Sequence, residues 1–160
     1  MPSQVERRSD AVLRTGAAKS KVAQVVVRKP QGVWTISSDS SVFEAIHSMS
    51  EHGVGALPVV DAGHLVGIIS ERDYARKLIL SGKSSLSTPV RDVMSTAVVT
   101  VTEADTIEHC MTLMTNHRVR HLPVMQGEAL LSIVSIGDLV YEVIAQQQLA
   151  LDELERYVAG

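Results

Sequence analysis

Apolar residues along this chain follow two kinds of period, and both kinds return later in the same order. Val42, Ala45, Ile46 and Met49 are spaced i, i+3, i+4 and i+7, which predicts one apolar face of an α-helix. Ser37-Ser38-Asp39-Ser40 before them is rich in N-cap residues, and His52-Gly53 supplies a stop. Upstream, Val33-Trp34-Thr35-Ile36 predicts a short strand. Downstream, Ala56–Val60 predicts a strand, Asp61-Ala62-Gly63 a turn, and His64–Ser70 the returning strand of a hairpin. Leu65-Val66-Gly67-Ile68-Ile69 is continuously apolar, as expected of a buried strand. Ser70 then predicts the cap of a helix running to about Leu80. The unit reads strand, helix, strand, strand, helix.

The same unit is written again 65 positions later. Residues 35–73 fall on residues 100–138 without a gap. Leu57-Pro58-Val59 becomes Leu122-Pro123-Val124, and Ser70-Glu71-Arg72-Asp73 becomes Ser135-Ile136-Gly137-Asp138. Thr35, Met49, His52, Leu65 and Ile68 recur as the same residue type. The second copy's first helix carries Ile107, Cys110, Met111 and Met114 at the spacing of the first. Two copies of a long unit predict a pseudo-twofold pair sharing one core, with a cleft between related halves as a natural ligand site.

This periodicity divides the chain into a polar, mobile tail over 1–20, a first repeat over 21–80, a polar linker over 81–88, a second repeat over 89–145 and a helical extension over 146–160. Residues 21–29 (KVAQVVVRK) are apolar enough to pack, and Pro30-Gln31-Gly32 separates them from the strand at Val33. The last helix should run from about Ile136 to Val158. Leu149, Leu151, Leu154, Tyr157 and Val158 carry an apolar stripe past the repeat, a packing or dimer surface.

Composition narrows the picture. With 45% apolar residues in 160 but only 3% aromatic, the core must be aliphatic and filled by methionine. A net charge of −3 argues against nucleic-acid binding through bulk charge. It leaves room for a phosphate ligand, which needs only a few local cations. Cys110 stands alone, so no disulfide framework exists, and its apolar helical position predicts a buried thiol. No apolar run reaches membrane-spanning length, and the N-terminus lacks a secretory apolar region. A reducing, cytoplasmic location is the expectation.

The sharpest candidate chemistry is Ser-x-x-Asp opening a helix after an apolar strand, twice. Such a motif can serve as a capping box alone. It can also bind, because a helix N-terminus attracts phosphate and an adjacent carboxylate can accept the hydrogens of a ribose cis-diol. Asp73 and Asp138 would be those carboxylates, and Ser70 and Ser135 the caps. A second signal is His117-Arg118-Val119-Arg120-His121-Leu122-Pro123. Alternation would set Arg118 and Arg120 on one side of a strand, where arginine grips phosphate bidentately. Its bland alternative is a charged edge strand guarded against aggregation. The first repeat has Gly53-Val54-Gly55-Ala56 there, so the halves should differ in affinity. Arg76 and Lys77 read as a solvated helix face, whereas Arg72 lies in the first helical turn, where a cation opposes the dipole; it is the better ligand contact. No metal motif, phosphate loop or nucleophile–base pair is present.

These motifs resemble a tandem CBS-domain pair, also called a Bateman module. The carrying residues are Gly55-Ala56-Leu57-Pro58-Val59-Val60-Asp61 with Leu65-Val66-Gly67-Ile68-Ile69-Ser70-Glu71-Arg72-Asp73, and Arg120-His121-Leu122-Pro123-Val124 with Ile133-Val134-Ser135-Ile136-Gly137-Asp138. The resemblance covers roughly residues 21–145. It implies an α/β (α+β) fold of two β-α-β-β-α units about a pseudo-twofold axis, with two clefts that bind adenosine-containing ligands: AMP, ADP, ATP, NAD or S-adenosylmethionine. It implies ribose at Asp73 and Asp138, ribose or phosphate near Ser70 and Ser135, and adenine facing the backbone of Thr35-Ile36 and Thr100-Val101. Arg118, Arg120 and His121 match positions that meet phosphates. Ala56, Pro58, Arg72 and Pro123 complete the expected nucleotide-binding set. Ser132 replaces the glycine seen at Gly67, and Gly137 stands where the first repeat has Arg72, which implies unequal sites.

The expectation is therefore a stand-alone regulatory sensor, not an enzyme. It would form a homodimer and signal to a separate protein partner, with neither nucleic acid nor membrane involved. The alternative is a protein-interaction or dimerisation module whose clefts are degenerate.

Overall fold

Most of the apolar periods become the elements they predict in the computed structural model, which describes residues 20–159. Apart from Ser20, the expected tail lies outside the described residues. Helix α1 (Val22–Val26) buries Val22 and Val25. Helix α2 (Val42–His52) buries Val42, Ala45 and Met49. Its cap is Ser41, one residue beyond the stretch singled out by composition. Ser41 Oγ accepts from the Glu44 N–H at 3.1 Å and Glu44 Oε2 accepts from the Ser41 N–H at 3.1 Å, a reciprocal capping box. Gly53 ends the helix in the left-handed region, φ 64°.

Strands β1 (Ala56–Asp61) and β2 (His64–Ser70) pair antiparallel. Their two-residue turn has positive φ at both Ala62 (48°) and Gly63 (78°), a backbone twist that matches the twist of a hairpin. One helical turn, α3 (Glu71–Asp73), follows and widens into a π-helical stretch over Tyr74–Ile79. A 3-10 turn spans Val90–Asp92. Helix α4 (Ile107–His117), the β3 (His121–Gln126)–β4 (Ala129–Ser135) hairpin and helix α5 (Ile136–Ala159) complete the second repeat.

Three expectations need correction. Val33–Ile36 is not a strand but a single parallel bridge, Ile36 against Val59. The Ile36 N–H donates to Pro58 O at 3.1 Å and the Val60 N–H to Ile36 O at 2.9 Å. Pairing stops there because the next residues turn onto Asp61: its carboxylate accepts from the Ser38 hydroxyl, the Ser38 N–H and the Ser37 hydroxyl. The bonds from Ser38 hold the Asp61 carboxyl below its ordinary range. Second, β2 is not buried throughout. Gly67 and Ile69 are buried while their neighbours are half-exposed, the alternation of a sheet covered mainly on one face. Third, the helix after Ser70 keeps α geometry for one turn only.

The described chain groups into two compact units. One comprises Gly32–Thr100 and Met125–Ile133. Its core joins Val42, Ala45 and Met49 of α2 to Leu57, Val59 and Ile69 of the first hairpin, with Leu78, Val90 and Val93 closing it. The polar linker caps α2, since the Val42 and Phe43 N–H groups donate to Thr88 O and Ser85 O. The other unit comprises 20–31, Val101–Val124 and 134–159. It buries Val22, Ile107, Cys110, Leu122, Val124 and Leu139, among others, with α1 and α4 both packed on α5. Burial and the nearby Asp105 push the Cys110 thiol up to about 11, so it stays a protonated core group.

Gly67 is required by close approach, not by its backbone angles. A Cβ there would lie 2.7 Å from Met94 Sδ and 2.9 Å from Ser95 O. Met94 can swing away, but Ser95 O accepts from the Ile68 N–H at 3.0 Å and the Ser95 N–H donates back to Ile68 O at 2.9 Å. Gly67→Ala should therefore break this bridge and destabilise the fold by roughly 1–3 kcal/mol, read as a lower midpoint in urea. An unchanged midpoint would show that the 94–95 segment yields freely.

Candidate functional site

Both Ser-x-x-Asp motifs sit where a hairpin's second strand becomes a helix. In the first, the Ser70 Oγ accepts from the Asp73 N–H at 3.1 Å, and Asp73 Oδ2 accepts from the Ser70 N–H at 3.0 Å and the Ser70 hydroxyl at 2.9 Å. The Glu71 N–H donates to Gly55 O at 3.0 Å, tying the helix start to the residue before β1. Asp73 Oδ1 faces Lys77 Nζ at 3.3 Å, and Lys77 also donates to Val93 O at 3.1 Å. Ala56 pairs with Ser70 across the hairpin, and Pro58 O receives the Ile36 N–H. So Ile36, Ala56, Pro58, Ser70 and Asp73 belong to one hydrogen-bonded patch, with exposed Thr35 and half-buried Arg72 beside them in sequence.

The second junction repeats these bonds 65 residues on. The Val101 N–H donates to Pro123 O at 3.0 Å, and the Ile136 N–H donates to Arg120 O at 2.9 Å. Ser135 Oγ accepts from the Asp138 N–H at 3.1 Å, and Asp138 Oδ2 accepts from the Ser135 N–H at 2.8 Å. The cation, however, comes from elsewhere: Lys29 Nζ lies 2.6 Å from Asp138 Oδ2. Burial alone would raise the Asp138 pKa, but Lys29 and the Ser135 N–H hold it below the usual carboxylate range. One turn along α5, Glu142 is buried at 1% exposure with Arg28 Nη1 2.7 Å from its Oε2. Gln146 Nε2 donates to its Oε1 at 2.9 Å.

The arginine pair is not strand-borne. Arg118 ends α4 in the left-handed region, φ 54°, at the position Gly53 holds in the first repeat. That turn redirects the chain, and β3 begins only at His121. Arg118 and Arg120 are both exposed, His121 is half-buried, and Pro123 and Val101 are buried. Thr100, exposed, precedes the Val101 bridge to Val124. Burial pulls the His121 pKa down; Asp138 opposes this, and Lys29 and Arg120 add to it. Sequence reasoning missed two residues here. Lys77 was detectable as the i+4 partner of Asp73. Lys29 carried no such signal, being 109 residues from its partner.

His121 predicts a stability slope. Its native pKa lies below the unfolded value near 6.5, so the unfolded chain binds the proton first. Its contribution is present in full above about pH 6.5 and is lost as pH falls through the native pKa. Asp138, also depressed, adds its own loss only below about pH 4. Thermal midpoints of wild type should thus fall on acidification from pH 7 to 5, by less in His121→Asn, with at most about 1.4 kcal/mol per pH unit at stake. Equal slopes in the two proteins would count against this.

Comparison with known proteins agrees with this duplicated geometry. The CBS domain family model matches residues 22–80 and 90–145. The chain is 41% identical over 139 residues to the CBS domain-containing protein CBSX3, mitochondrial, of Arabidopsis thaliana, covering 83% of this chain and 68% of that protein. It is 36% identical over 115 residues to the CBS domain-containing protein YhcV of Bacillus subtilis, covering 72% and 81%. A solved CBS-domain structure from Burkholderia ambifaria superposes with a TM-score of 0.77 at 45% identity, covering 79% of this chain and 96% of that one. Tandem CBS domains are commonly regulatory modules that bind adenosine-containing ligands. With two matched segments spanning most of its length, this chain belongs to the CBS-domain family and carries two tandem CBS domains.

Proposed function

We propose that this protein is a non-catalytic regulatory module that binds an adenine nucleotide (AMP, ADP, ATP or NAD) at its two Ser-x-x-Asp junctions. The observation that carries the reading is the matched pair of carboxylates. Asp73 and Asp138 are each oriented by a serine N–H at a helix start and each face a lysine. A carboxylate fixed this way suits a ribose diol, and the helix N-terminus and nearby cations suit phosphate. Adenine would lie along the backbone of Thr35-Ile36 in one unit and of Thr100-Val101 at the other junction. Arg72, Arg118, Arg120 and His121 would supply the remaining polar contacts.

Helix α5 supports a second, compatible role in homodimerisation. Val140, Ile144, Leu151, Leu154 and Val158 are exposed at alternating three- and four-residue spacings around Gln147, a seam suited to a second helix.

A thermal-shift titration with AMP, ADP, ATP, NAD, S-adenosylmethionine and adenosine tests the nucleotide reading. A ligand at a hundredfold excess over Kd should add about 2.7 kcal/mol of stability, a shift of several degrees for a domain of this size. Asp73→Asn with Asp138→Asn should abolish that shift. If no compound moves the wild-type midpoint, the interaction-module reading replaces this one.

A further inference from the structure

We propose that Lys29, delivered by the segment that leaves α1, is the residue that makes the Asp138 junction select phosphorylated adenosine ligands over adenosine itself. This rests on the reading of Asp138 as a ribose carboxylate. At the equivalent of Arg72 the second junction has Gly137, so its own helix supplies no cation in that turn. Lys29 brings one from a distant part of the chain, 2.6 Å from Asp138 Oδ2. Its position is set by its neighbour. Arg28 is paired with the buried Glu142, and its guanidinium lies 5.8 Å from the centre of the Tyr141 ring. Residues 28 and 29 therefore grip α5 at two carboxylates one turn apart.

The grip is reachable by a ligand, because the Lys29 and Asp138 side chains keep 27% and 29% of their exposure. Lys29 is the cation paired with Asp138, and half-buried His121 lies near both. A nucleoside whose diol donates to Asp138 competes with Lys29 for that carboxylate and offers the ammonium no anion in return. The pairing of Lys29 is weakened without compensation. A nucleotide takes the same carboxylate and gives the ammonium a phosphate oxygen within a short swing of a flexible stem. The lysine thus penalises adenosine and is repaid only by phosphate.

Calorimetric titration of the full chain with adenosine and with AMP tests this, in an Asp73→Asn background so that heat reports the Asp138 junction. Lys29→Gln should cut the preference for AMP over adenosine by about tenfold, with adenosine binding unchanged or tighter. Lys29→Arg, which keeps the charge, should retain the preference and serves as the check that the fold survives change at this position. An unchanged AMP-to-adenosine ratio in Lys29→Gln overturns the inference alone. So does loss of AMP binding in the Asp73→Asn protein when wild type binds it, since the ligand then sits at the other junction. A wild-type chain that binds neither adenosine nor AMP overturns the inference, whereas the nucleotide reading falls only if the whole thermal-shift panel is silent.

Discussion

A two-stranded hairpin buries too little to persist in water by itself, and each repeat has only one. Its strand-to-helix junction is therefore the joint on which the rest depends. There the last residue of the strand is also the N-cap of the helix, and the helix's first N–H reaches back to the residue before the opening strand. The aspartate three residues on closes the loop by accepting the serine N–H. Leaving those donors unmet at a half-buried helix start costs on the order of 1 kcal/mol each. The carboxylate is thus fixed for structural reasons, by the same capping bonds in both repeats.

The two joints then diverge in where their counter-charge originates. Lys77 is local: it lies four residues from Asp73 and is steadied by Val93 O and Ser95 Oγ. Lys29 is tertiary, brought by a segment that also packs through Val22 and Val25. Around Asp73 the following helix relaxes into π geometry over Tyr74–Ile79, whereas α5 continues without a break for 24 residues. Interruptions of that kind recur at functional sites. A duplicated scaffold has in this way acquired two non-equivalent carboxylate environments without altering the capping bonds beneath them.

What was legible in the sequence was what depends on local period. The spacing of Val42, Ala45 and Met49, and of Ile107, Cys110 and Met114, marked buried helix faces. Asp61-Ala62-Gly63 marked the hairpin, and Ser-x-x-Asp marked both helix starts. What failed depended on competition between segments. Val33–Ile36 has strand composition, yet Ser37 and Ser38 are drawn to Asp61, and only one bridge survives. Arg118 and Arg120 alternate as strand residues would, but a left-handed helix end at Arg118 places both outside β3. The pairing of Lys29 with Asp138 has no local signature, because Arg28 and Lys29 at the end of an apolar segment look the same wherever that segment docks.

The buried Glu142 explains how so unspecific a residue as Lys29 comes to rest in one place. Ion pairs taken out of water seldom add much net stability, because desolvation offsets attraction, yet removing one partner is severe. Arg28 keeps 43% of its side-chain exposure while Glu142 keeps 1%, so nearly all the desolvation falls on the carboxylate. Gln146 meets the second oxygen of that carboxylate. Such a pair contributes little to how stably the segment docks and much to which register it docks in. In the observed register Arg28 meets Glu142 and Lys29 meets Asp138, and a slip of the segment would break both pairs at once. Lys29, fixed by a peptide bond to the arginine that pairs with Glu142, is then delivered one turn toward the helix start, where Asp138 lies. The geometry of a solvent-accessible site is in this sense dictated by a buried charge that never touches it.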